Sequence, residues 1–202
     1  MWRYGPKVGD DTGARFLMTV GLSIAAIGPD TLEDMRSLLG REPEDWCWCV
    51  AWEVRTWDGW TERKAEENRS LREALWAARQ YHGFLFYRDG QPIGWCRVGP
   101  PAAWPKLCQT RGLDPEEEAY VLTCFGLRPE WRGKELMHRF LALVIDALRR
   151  AGVKELIALP KDLPEGADAG AVWNGPRRLY KKAGFRPHRQ GEGFTEMRLR
   201  LD

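Results

Sequence analysis

The run 119–127 constrains the fold of this chain more than any other part of the sequence, because it is short and continuously apolar. Such a run is typical of a β-strand that is covered on both faces. Before it, 83–88 and 91–98 are rich in β-forming residues and are separated by an Asp-Gly dipeptide that favours a tight hairpin turn. After it, 135–151 carries apolar residues in i, i+4 rows, as a helix does when it packs on a sheet. The sequence therefore predicts a layered α/β fold.

The rest of the chain supplies further elements of both kinds. The helical spacing of apolar residues predicts three more helices, over 31–39, 62–80 and 175–183. β-Rich or alternating runs predict strands over 18–27, 155–159 and 194–201, together with an extended aromatic segment over 45–55. The remaining stretches are predicted to be an irregular insertion over 100–117, a loop over 160–172 and a mobile or weakly docked leader over 1–17. The expected architecture is one domain over 18–202, with a mixed sheet flanked by helices.

Charge and composition narrow the classes of function. The chain has 31 lysines and arginines against 29 acidic residues, and this net charge of +2 is too balanced for an electrostatically driven nucleic-acid or membrane binder. No apolar run approaches the roughly 20 residues that span a bilayer. Five cysteines, an odd number, favour reduced thiols and a cytoplasmic location. One Cys-x-Cys motif, at Cys47 and Cys49, does not by itself predict a metal site, so no metal is expected.

The segment 121–134, which joins the apolar strand to the next helix, is the one most suited to chemistry. After a Pro turn it continues through Arg132, Gly133 and Lys134 into the N-terminus of the helix. Free backbone N–H groups, the positive end of the helix dipole and two basic side chains thus meet at one end of the strand. A pyrophosphate suits such a loop, but an ordinary connection with solvated basic residues would have the same sequence. The residues alone leave both interpretations open.

Taken together, the motifs resemble the GNAT acyltransferases over about residues 18–201. The shared features are the hairpin, the Leu-Arg-Pro that ends the apolar strand, the Arg-Gly-Lys loop before a helix, and the Leu-Tyr-Lys-Lys-Ala-Gly-Phe of 179–185. A subgroup of that family also carries the Cys-Trp-Cys of 47–49, the Pro-Ile-Gly-Trp-Cys of 92–96 and the Trp-x-Gly of 173–175. The resemblance implies the GNAT fold, a mixed and mostly antiparallel sheet. It also implies an enzyme that uses acetyl-coenzyme A to acylate an amine.

The resemblance further implies a role for each matching position. The coenzyme would be held at Phe125, Gly126, Leu127, Arg132, Gly133, Lys134, Glu135, Leu136, Met137 and Asn174. The Leu127 N–H would stabilise the oxyanion that develops on the thioester. The Tyr180 phenol would protonate the departing thiolate, unless Tyr180 only packs its helix on the sheet. The family has small residues where this sequence has Glu135 and Met137, so either Glu135 turns away to cap the helix or coenzyme binding is weakened.

The acceptor side is predicted from position. Glu118, where the apolar strand begins, is the acid best placed to take the proton of the attacking amine, with an ordered water as the alternative. Trp48 and Trp52 would share one face of the extended segment 45–55. They would wall the acceptor pocket through burial and cation–π contact, unless both belong to the core.

Two functions of different class remain. The leading one is an N-acetyltransferase that joins acetyl-coenzyme A and a small-molecule amine in a ternary complex. A second version acylates a protein or RNA through the basic patch Arg177, Arg178, Lys181 and Lys182, which the 3′-phosphate of the coenzyme explains equally well. The alternative class is a non-catalytic GNAT-fold module that binds an acyl-coenzyme A or another ligand. GNAT proteins often dimerise, so a homodimer through a sheet edge left open near the C-terminal strand is compatible with the resemblance. Neither a membrane nor a nucleic acid is an expected partner.

Overall fold

The computed structural model describes residues 17–19, 21–40, 46–164 and 172–201. The predicted leader therefore lies outside the described residues, except for Leu17. The strands are β1 (Leu17–Thr19), β2 (Leu22–Ala26), β3 (Phe84–Arg88), β4 (Gln91–Gly99), β5 (Tyr120–Leu127), β6 (Glu155–Ala158), β7 (Arg186–Gly191) and β8 (Phe194–Arg200). The α-helices are α1 (Leu32–Leu38), α2 (Ala65–Ala77), α3 (Pro105–Arg111), α4 (Leu136–Arg150) and α5 (Arg177–Lys182). Among the described residues, no helix is both long enough and apolar enough to span a bilayer.

The strands form one mixed and mostly antiparallel sheet, which confirms the predicted class. Their order across the sheet is β1-β2-β3-β4-β5-β6-β8-β7. The neighbours β5 and β6 run parallel, and the other neighbouring strands pair antiparallel. The chain between β5 and β6 forms α4, the kind of crossover that a parallel pair requires.

Helices cover both faces of the sheet. On one face, α4 and α5 pack over the central strands, and Phe140 of α4 stacks on Phe86 of β3 with ring centroids 4.2 Å apart. On the other face, Trp76 of α2 packs in a cluster with Trp95 of β4, and Leu107 of α3 packs in a second cluster. β5 is buried from both sides, which is the physical reason for its apolar sequence.

β5 carries a bulge at Thr123. Cys124 lies opposite Arg97 of β4, but Leu122 lies opposite Val98, so Thr123 is the extra residue in the ladder. The pairing of β5 with β6 also ends at Leu122. A bulge bends its strand and interrupts pairing. The C-terminal half of β5 therefore leaves β6, and its outer edge opens onto a groove.

The prediction of an extended segment over 45–55 is wrong. Its described part forms successive turns, and Trp48 and Cys49 have φ values of 46° and 53°, in the left-handed region. The guanidinium of Arg72 in α2 donates hydrogen bonds to the backbone carbonyls of both residues. These turns are thus held by a residue far along the chain, so the local alternation of aromatics could not indicate them.

Three smaller corrections concern element bounds. The predicted irregular insertion contains α3, which begins at Pro105, and proline is favoured in the first helical turn. The predicted strand 18–27 is divided by a turn at Gly21, whose φ is 71°, so β1 and β2 form a hairpin. β7 was not predicted because its sequence is polar and its residues are largely exposed. β7 is also the open edge near the C-terminal strand, and its arginines and Pro187 are residues that discourage edge pairing.

Candidate active site

A groove of about 1300 Å³ opens where β5 leaves β6. The C-terminal half of β5 and the start of α4 form one side of it, and segments after β6 and around α5 form the other. The groove lies at the C-terminal end of a buried strand and at a helix N-terminus. That is the end of a strand–helix unit where free N–H groups favour an anion.

The groove brings together most of the residues that the sequence assigns to the coenzyme. Two of the ten do not line it. The Lys134 ammonium lies over the ring of Trp131, 4.8 Å from its centroid, and Asn174 is buried between Trp173 and Gly175, which do line the groove. The eight that line it are Phe125, Gly126, Leu127, Arg132, Gly133, Glu135, Leu136 and Met137.

The loop before α4 contains two residues with left-handed backbone. Gly133 has a φ of 72°, and a Cβ added there would meet no atom within 4 Å, so the loop is open to a ligand. Glu135 has a φ of 54° and makes no capping hydrogen bond with its side chain, so the helix-capping interpretation is wrong. Its carboxylate lies 3.4 Å from the Lys182 ammonium, and 81% of the side chain is exposed. Glu135 thus keeps the backbone conformation that favours glycine, the residue the GNAT pattern has there.

The outer edge of β5 presents backbone groups to the groove. The Phe125 N–H donates to the Trp173 carbonyl at 2.8 Å, and the Arg128 N–H points the other way and donates to Ile93 of β4 at 2.9 Å. Because successive N–H groups of a strand alternate between its two edges, the Leu127 N–H lies on the same edge as that of Phe125. Of the two N–H groups on this edge, that of Phe125 is therefore already hydrogen-bonded to Trp173, and that of Leu127 is directed toward the groove.

Tyr180, the predicted acid, lies beneath the groove rather than in its lining. Its side chain is fully buried, and its hydroxyl donates a hydrogen bond to the Asn174 carbonyl. The amide of Asn174 in turn donates to the carbonyl of Leu159, just after β6. Burial raises the pKa of Tyr180 well above its ordinary value. The phenol therefore ties the turn 173–175 to α5, and the Asn174 amide ties the same turn to the end of β6.

Cationic side chains gather along the groove. The Nε of Arg132 donates to the Leu127 carbonyl at 3.0 Å, which fixes that side chain beside β5. Lys161 lies over the ring of Trp173, 5.1 Å from its centroid, and nothing in the local sequence pattern indicates its role. The cationic residues of the lining are Arg132, Lys161, Arg177, Arg178 and Lys182. Glu135 and Asp162 are the carboxylates of the lining, so the groove suits a polyanionic ligand.

Glu118, the predicted base, lies away from the groove. It is exposed and precedes the first residue of β5, Tyr120. The groove begins at the other end of the strand, near Leu127. At about 3.3 Å per residue, β5 separates the two ends by roughly 23 Å. The structure does not bring Glu118 together with the other predicted residues.

The two tryptophans predicted for the acceptor pocket lie in different clusters. Trp48 is buried with the α1 and α2 residues, and its ring lies where a Cβ at Gly40 would stand. Trp52 is also buried, but its ring lies 6.0 Å from that of Trp173, which lines the groove. The ammonium of Lys106 lies 5.6 Å from the Trp52 ring centroid. Trp52 is thus one ring removed from the groove, and Trp48 is a core residue.

A buried polar cluster on the opposite face of β5 was not predicted. The Glu53 Oε1 accepts hydrogen bonds from Arg72 at 2.9 Å and from Arg97 at 2.7 Å, and both guanidinium groups are essentially inaccessible to solvent. Desolvation and the nearby Arg97 charge lower the pKa of His82 to about 4. The sequence signal was the i, i+4, i+8 row of Asn68, Arg72 and Trp76, which is the buried row of α2. Because two of its three residues are polar, this buried row does not form an apolar stripe in the sequence.

In the described parts of the chain, no group of three or more His, Cys, Asp or Glu side chains is arranged to hold a metal ion.

Comparisons with known proteins agree on one family. A family model described as the acetyltransferase (GNAT) family matches residues 42–185. No curated protein matches the sequence. A PaiA N-acetyltransferase from Thermoplasma acidophilum, solved in complex with coenzyme A, is 15% identical, with 91% of this chain and 99% of that chain covered and a TM-score of 0.52. An uncharacterised protein from Bacillus halodurans is 15% identical, with coverages of 89% and 83% and a TM-score of 0.55. The YncA protein from Salmonella typhimurium, a putative acetyltransferase solved with acetyl-coenzyme A, is 19% identical, with coverages of 90% and 95% and a TM-score of 0.50. At these identities the solved structures establish a shared fold.

Proposed function

The chain belongs to the GNAT family of acetyltransferases, and from this premise we propose that it transfers an acetyl group from acetyl-coenzyme A to the amine of a small molecule. The observation that carries the proposal is the groove between β5 and β6, which combines an open strand edge, a helix N-terminus and a row of cationic side chains. Two of the solved structures that share the fold contain coenzyme A or acetyl-coenzyme A.

The residues of the groove fit the chemistry of this co-substrate. Acetyl-coenzyme A supplies an activated acetyl thioester together with a pyrophosphate and a 3′-phosphate. We assign the pyrophosphate to the loop at Arg132 and Gly133, where the backbone is open, and to the N-terminus of α4. The remaining phosphate is assigned to Lys161, Arg177, Arg178 and Lys182. Glu135 opposes this binding with one negative charge, part of which is offset by Lys182 at 3.4 Å.

The strand edge has a separate role. Leu127 is assigned as the N–H donor to the thioester oxygen, because its N–H lies on the edge of β5 that faces the groove and its neighbour Arg132 fixes the local backbone. A backbone N–H that is already oriented stabilises a developing oxyanion without reorganisation in the transition state.

Tyr180 is assigned as a positioning residue in this proposal. Its buried hydroxyl holds the Asn174 carbonyl, and the adjacent Trp173 carbonyl accepts the Phe125 N–H at 2.8 Å. Tyr180 thus holds the segment that borders the reacting end of the groove. The alternative role is proton donation to the leaving thiolate. For this the phenol would have to give up its hydrogen bond to the Asn174 carbonyl and donate to the sulfur of the coenzyme instead.

The acceptor is assigned to the face of the sheet opposite α4. There the turns of 46–54 and α3 cover the sheet closely, and Trp52 and Cys49 are buried against it. A compact amine is admitted more easily than a folded protein on a face covered in this way. The aromatic rings of Trp52 and Trp173, 6.0 Å apart, favour an acceptor with aryl, alkyl or cationic character. None of the five cysteines forms a disulfide, which supports a reducing, cytoplasmic location.

The proposal is tested by calorimetric titration with acetyl-coenzyme A and coenzyme A, followed by a thiol-release assay over a panel of amines. Replacement of Arg132 by Ala should weaken acetyl-coenzyme A binding about tenfold or more, because a charge-assisted contact to phosphate is lost. Arg139→Ala is the matched control, since Arg139 is an exposed arginine in α4, the helix that follows the loop of Arg132, and lies outside the groove lining. If Arg132→Ala binds acetyl-coenzyme A as tightly as the unaltered chain does, the assignment of the groove is wrong. Tight binding without release of thiol for any amine would favour the non-catalytic module.

A further inference from the structure

Two cysteine side chains meet on the acceptor face of β5. The Sγ atoms of Cys49, in the turns before α2, and Cys124, in β5, lie 3.6 Å apart. The indole N–H of Trp95 donates to the Cys49 sulfur at 2.9 Å. Cys49 is almost fully buried and Cys124 is partly exposed. The acetyl-transfer proposal gives neither thiol a role.

The surroundings of Cys49 favour its thiolate. Hydrogen bonds from Cys124 and Cys47, with the charges of Arg72 and Arg97, lower the pKa of Cys49 well below its ordinary value against the opposing effect of burial. The pKa of Cys124 is raised, because its thiol donates a hydrogen bond to Cys49 and because its sulfur is poorly hydrated. These opposite shifts indicate that the Cys124 thiol donates the hydrogen bond between the two sulfurs, and that Cys49 is the more acidic of the two.

The charge balance of the buried cluster agrees with this assignment. Arg72 and Arg97 both bind the Oε1 of Glu53, so two cations share one carboxylate. One Nη atom of each arginine and the Oε2 of Glu53 are buried without a hydrogen-bond partner, so the two arginines act on Cys49 through their charge and not through a hydrogen bond to its sulfur. Buried charges are stable when they are paired, and ionisation of Cys49 would supply a second negative charge near the two cations.

The Cys49 side chain is also held in place. Arg72 donates to the carbonyls of Trp48 and Cys49, both of which have left-handed backbone. This contact fixes the turn from which the Cys49 side chain projects toward β5. A cysteine of lowered pKa with a second thiol 3.6 Å away is the arrangement of a peroxide-oxidisable cysteine with its resolving partner.

We propose that Cys49 and Cys124 are a peroxide-oxidisable pair, whose disulfide links the turns of 46–54 to β5 next to the groove. The Cys49 sulfur attacks one oxygen of a hydroperoxide; an S–O bond forms, the O–O bond breaks, and the leaving oxygen takes a proton to give water or an alcohol. Cys124 then loses its proton to solvent, and its sulfur attacks that of the Cys49 sulfenic acid. The S–S bond forms as the S–O bond breaks and water leaves. The two thiols together supply the two electrons that reduce the peroxide, and a dithiol reductant reverses the change.

The other buried cysteines provide matched controls. Burial raises the pKa of Cys96 far above its ordinary value. Cys108 in α3 has a raised pKa for the same reason, and its thiol donates to the Pro101 carbonyl. Cys108 is buried like Cys49 but lies outside the pair, so it measures the background reactivity of a buried thiol in this chain.

The test is oxidation of the full chain with a small excess of hydrogen peroxide, followed by alkylation and peptide mapping. We expect the free thiols to fall from five to three, with one linked peptide that joins Cys49 to Cys124 and that dithiothreitol releases. Cys124→Ser should leave a sulfenic acid at Cys49 that a dione probe traps, whereas Cys108→Ser should retain the link.

Three results would overturn the proposal: a link between Cys47 and Cys49 instead, oxidation of Cys49 no faster than that of Cys108, or five unchanged thiols. The map of the unaltered chain decides among these even if a variant fails to fold. None of the outcomes depends on the acetyl-transfer proposal, since no coenzyme or amine is present.

Discussion

The hydroxyl of Tyr180 lies directly under the backbone of Gly175. A Cβ at Gly175 would stand 2.7 Å from that hydroxyl oxygen, and the φ of Gly175 is 84°, so glycine is required there for both space and backbone. The same hydroxyl holds the carbonyl of Asn174, next to the carbonyl of Trp173 that accepts the Phe125 N–H. One contact beneath the groove therefore ties α5 to the open edge of β5.

Replacement of Tyr180 by Phe should loosen this contact without abolishing chemistry. The lost hydrogen bond is expected to cost about 1 kcal/mol of unfolding free energy. If Tyr180 positions the groove, the KM for acetyl-coenzyme A should rise while kcat and its pH profile change little. Steady-state kinetics over a pH series make the measurement. A fall in kcat of about 10²-fold or more, with loss of the alkaline limb, would instead identify Tyr180 as the general acid.

Replacement of Gly175 by Ala should be more damaging than the same change at a glycine with free space. Gly193, between β7 and β8, also has a positive φ, 70°, but a Cβ there meets nothing within 4 Å. Gly193→Ala should cost about 1 kcal/mol from backbone conformation alone. Gly175→Ala adds the steric conflict with Tyr180 and should also weaken acetyl-coenzyme A binding. Chemical denaturation measures the stability of both variants, and calorimetry measures their affinity for acetyl-coenzyme A. Equal losses of stability would show that Tyr180 moves away from the added Cβ without cost.

Replacement of Glu135 by Gly should raise both the stability of the protein and its affinity for acetyl-coenzyme A. Glu135→Gly removes the cost of left-handed backbone at φ 54° and should raise the unfolding free energy by about 1 kcal/mol. It also removes a negative charge from the groove, so acetyl-coenzyme A should bind several-fold more tightly at low salt. Glu135→Gln is the matched control, because it removes the charge and keeps the backbone cost. The glutamine variant should gain affinity without the gain in stability, and unchanged affinity in both variants would place the phosphates elsewhere.

The parts of the fold that were predictable are those in which local pattern and tertiary environment agree. β5 is buried on both faces and α4 on one, so an apolar run and an i, i+4 row indicated them directly. In the turns of 46–54 the local pattern and the tertiary environment disagree, because the shape of the turns depends on Arg72, which is 24 residues beyond Trp48. β7 could not be predicted because it is an exposed edge strand, and such a strand needs no alternation of apolar residues.

The site follows the same division. Arg132 and Gly133 lie side by side in a loop whose sequence suits either a pyrophosphate or an ordinary connection, and the resemblance assigned them to the coenzyme. Lys161 and Trp173 reach the groove from segments that only the sheet topology brings near β5. Glu118 was assigned because it stands where the apolar strand begins, but the groove lies at the other end of that strand, so the length of β5 separates the two.

His82 should make the protein sensitive to acid. Its pKa is lowered from 6.5 to about 4 by burial and by the charge of Arg97, so the folded protein keeps it neutral. Below pH 6.5 the unfolded chain takes up a proton at His82 that the folded protein does not bind, and stability is lost as the pH falls toward 4. The loss from this group is at most about 3 kcal/mol. Urea unfolding at pH 7 and at pH 4.5 should show a smaller loss in His82→Gln than in the unaltered chain. If the variant loses as much stability as the unaltered chain over this interval, the acid sensitivity originates in other groups.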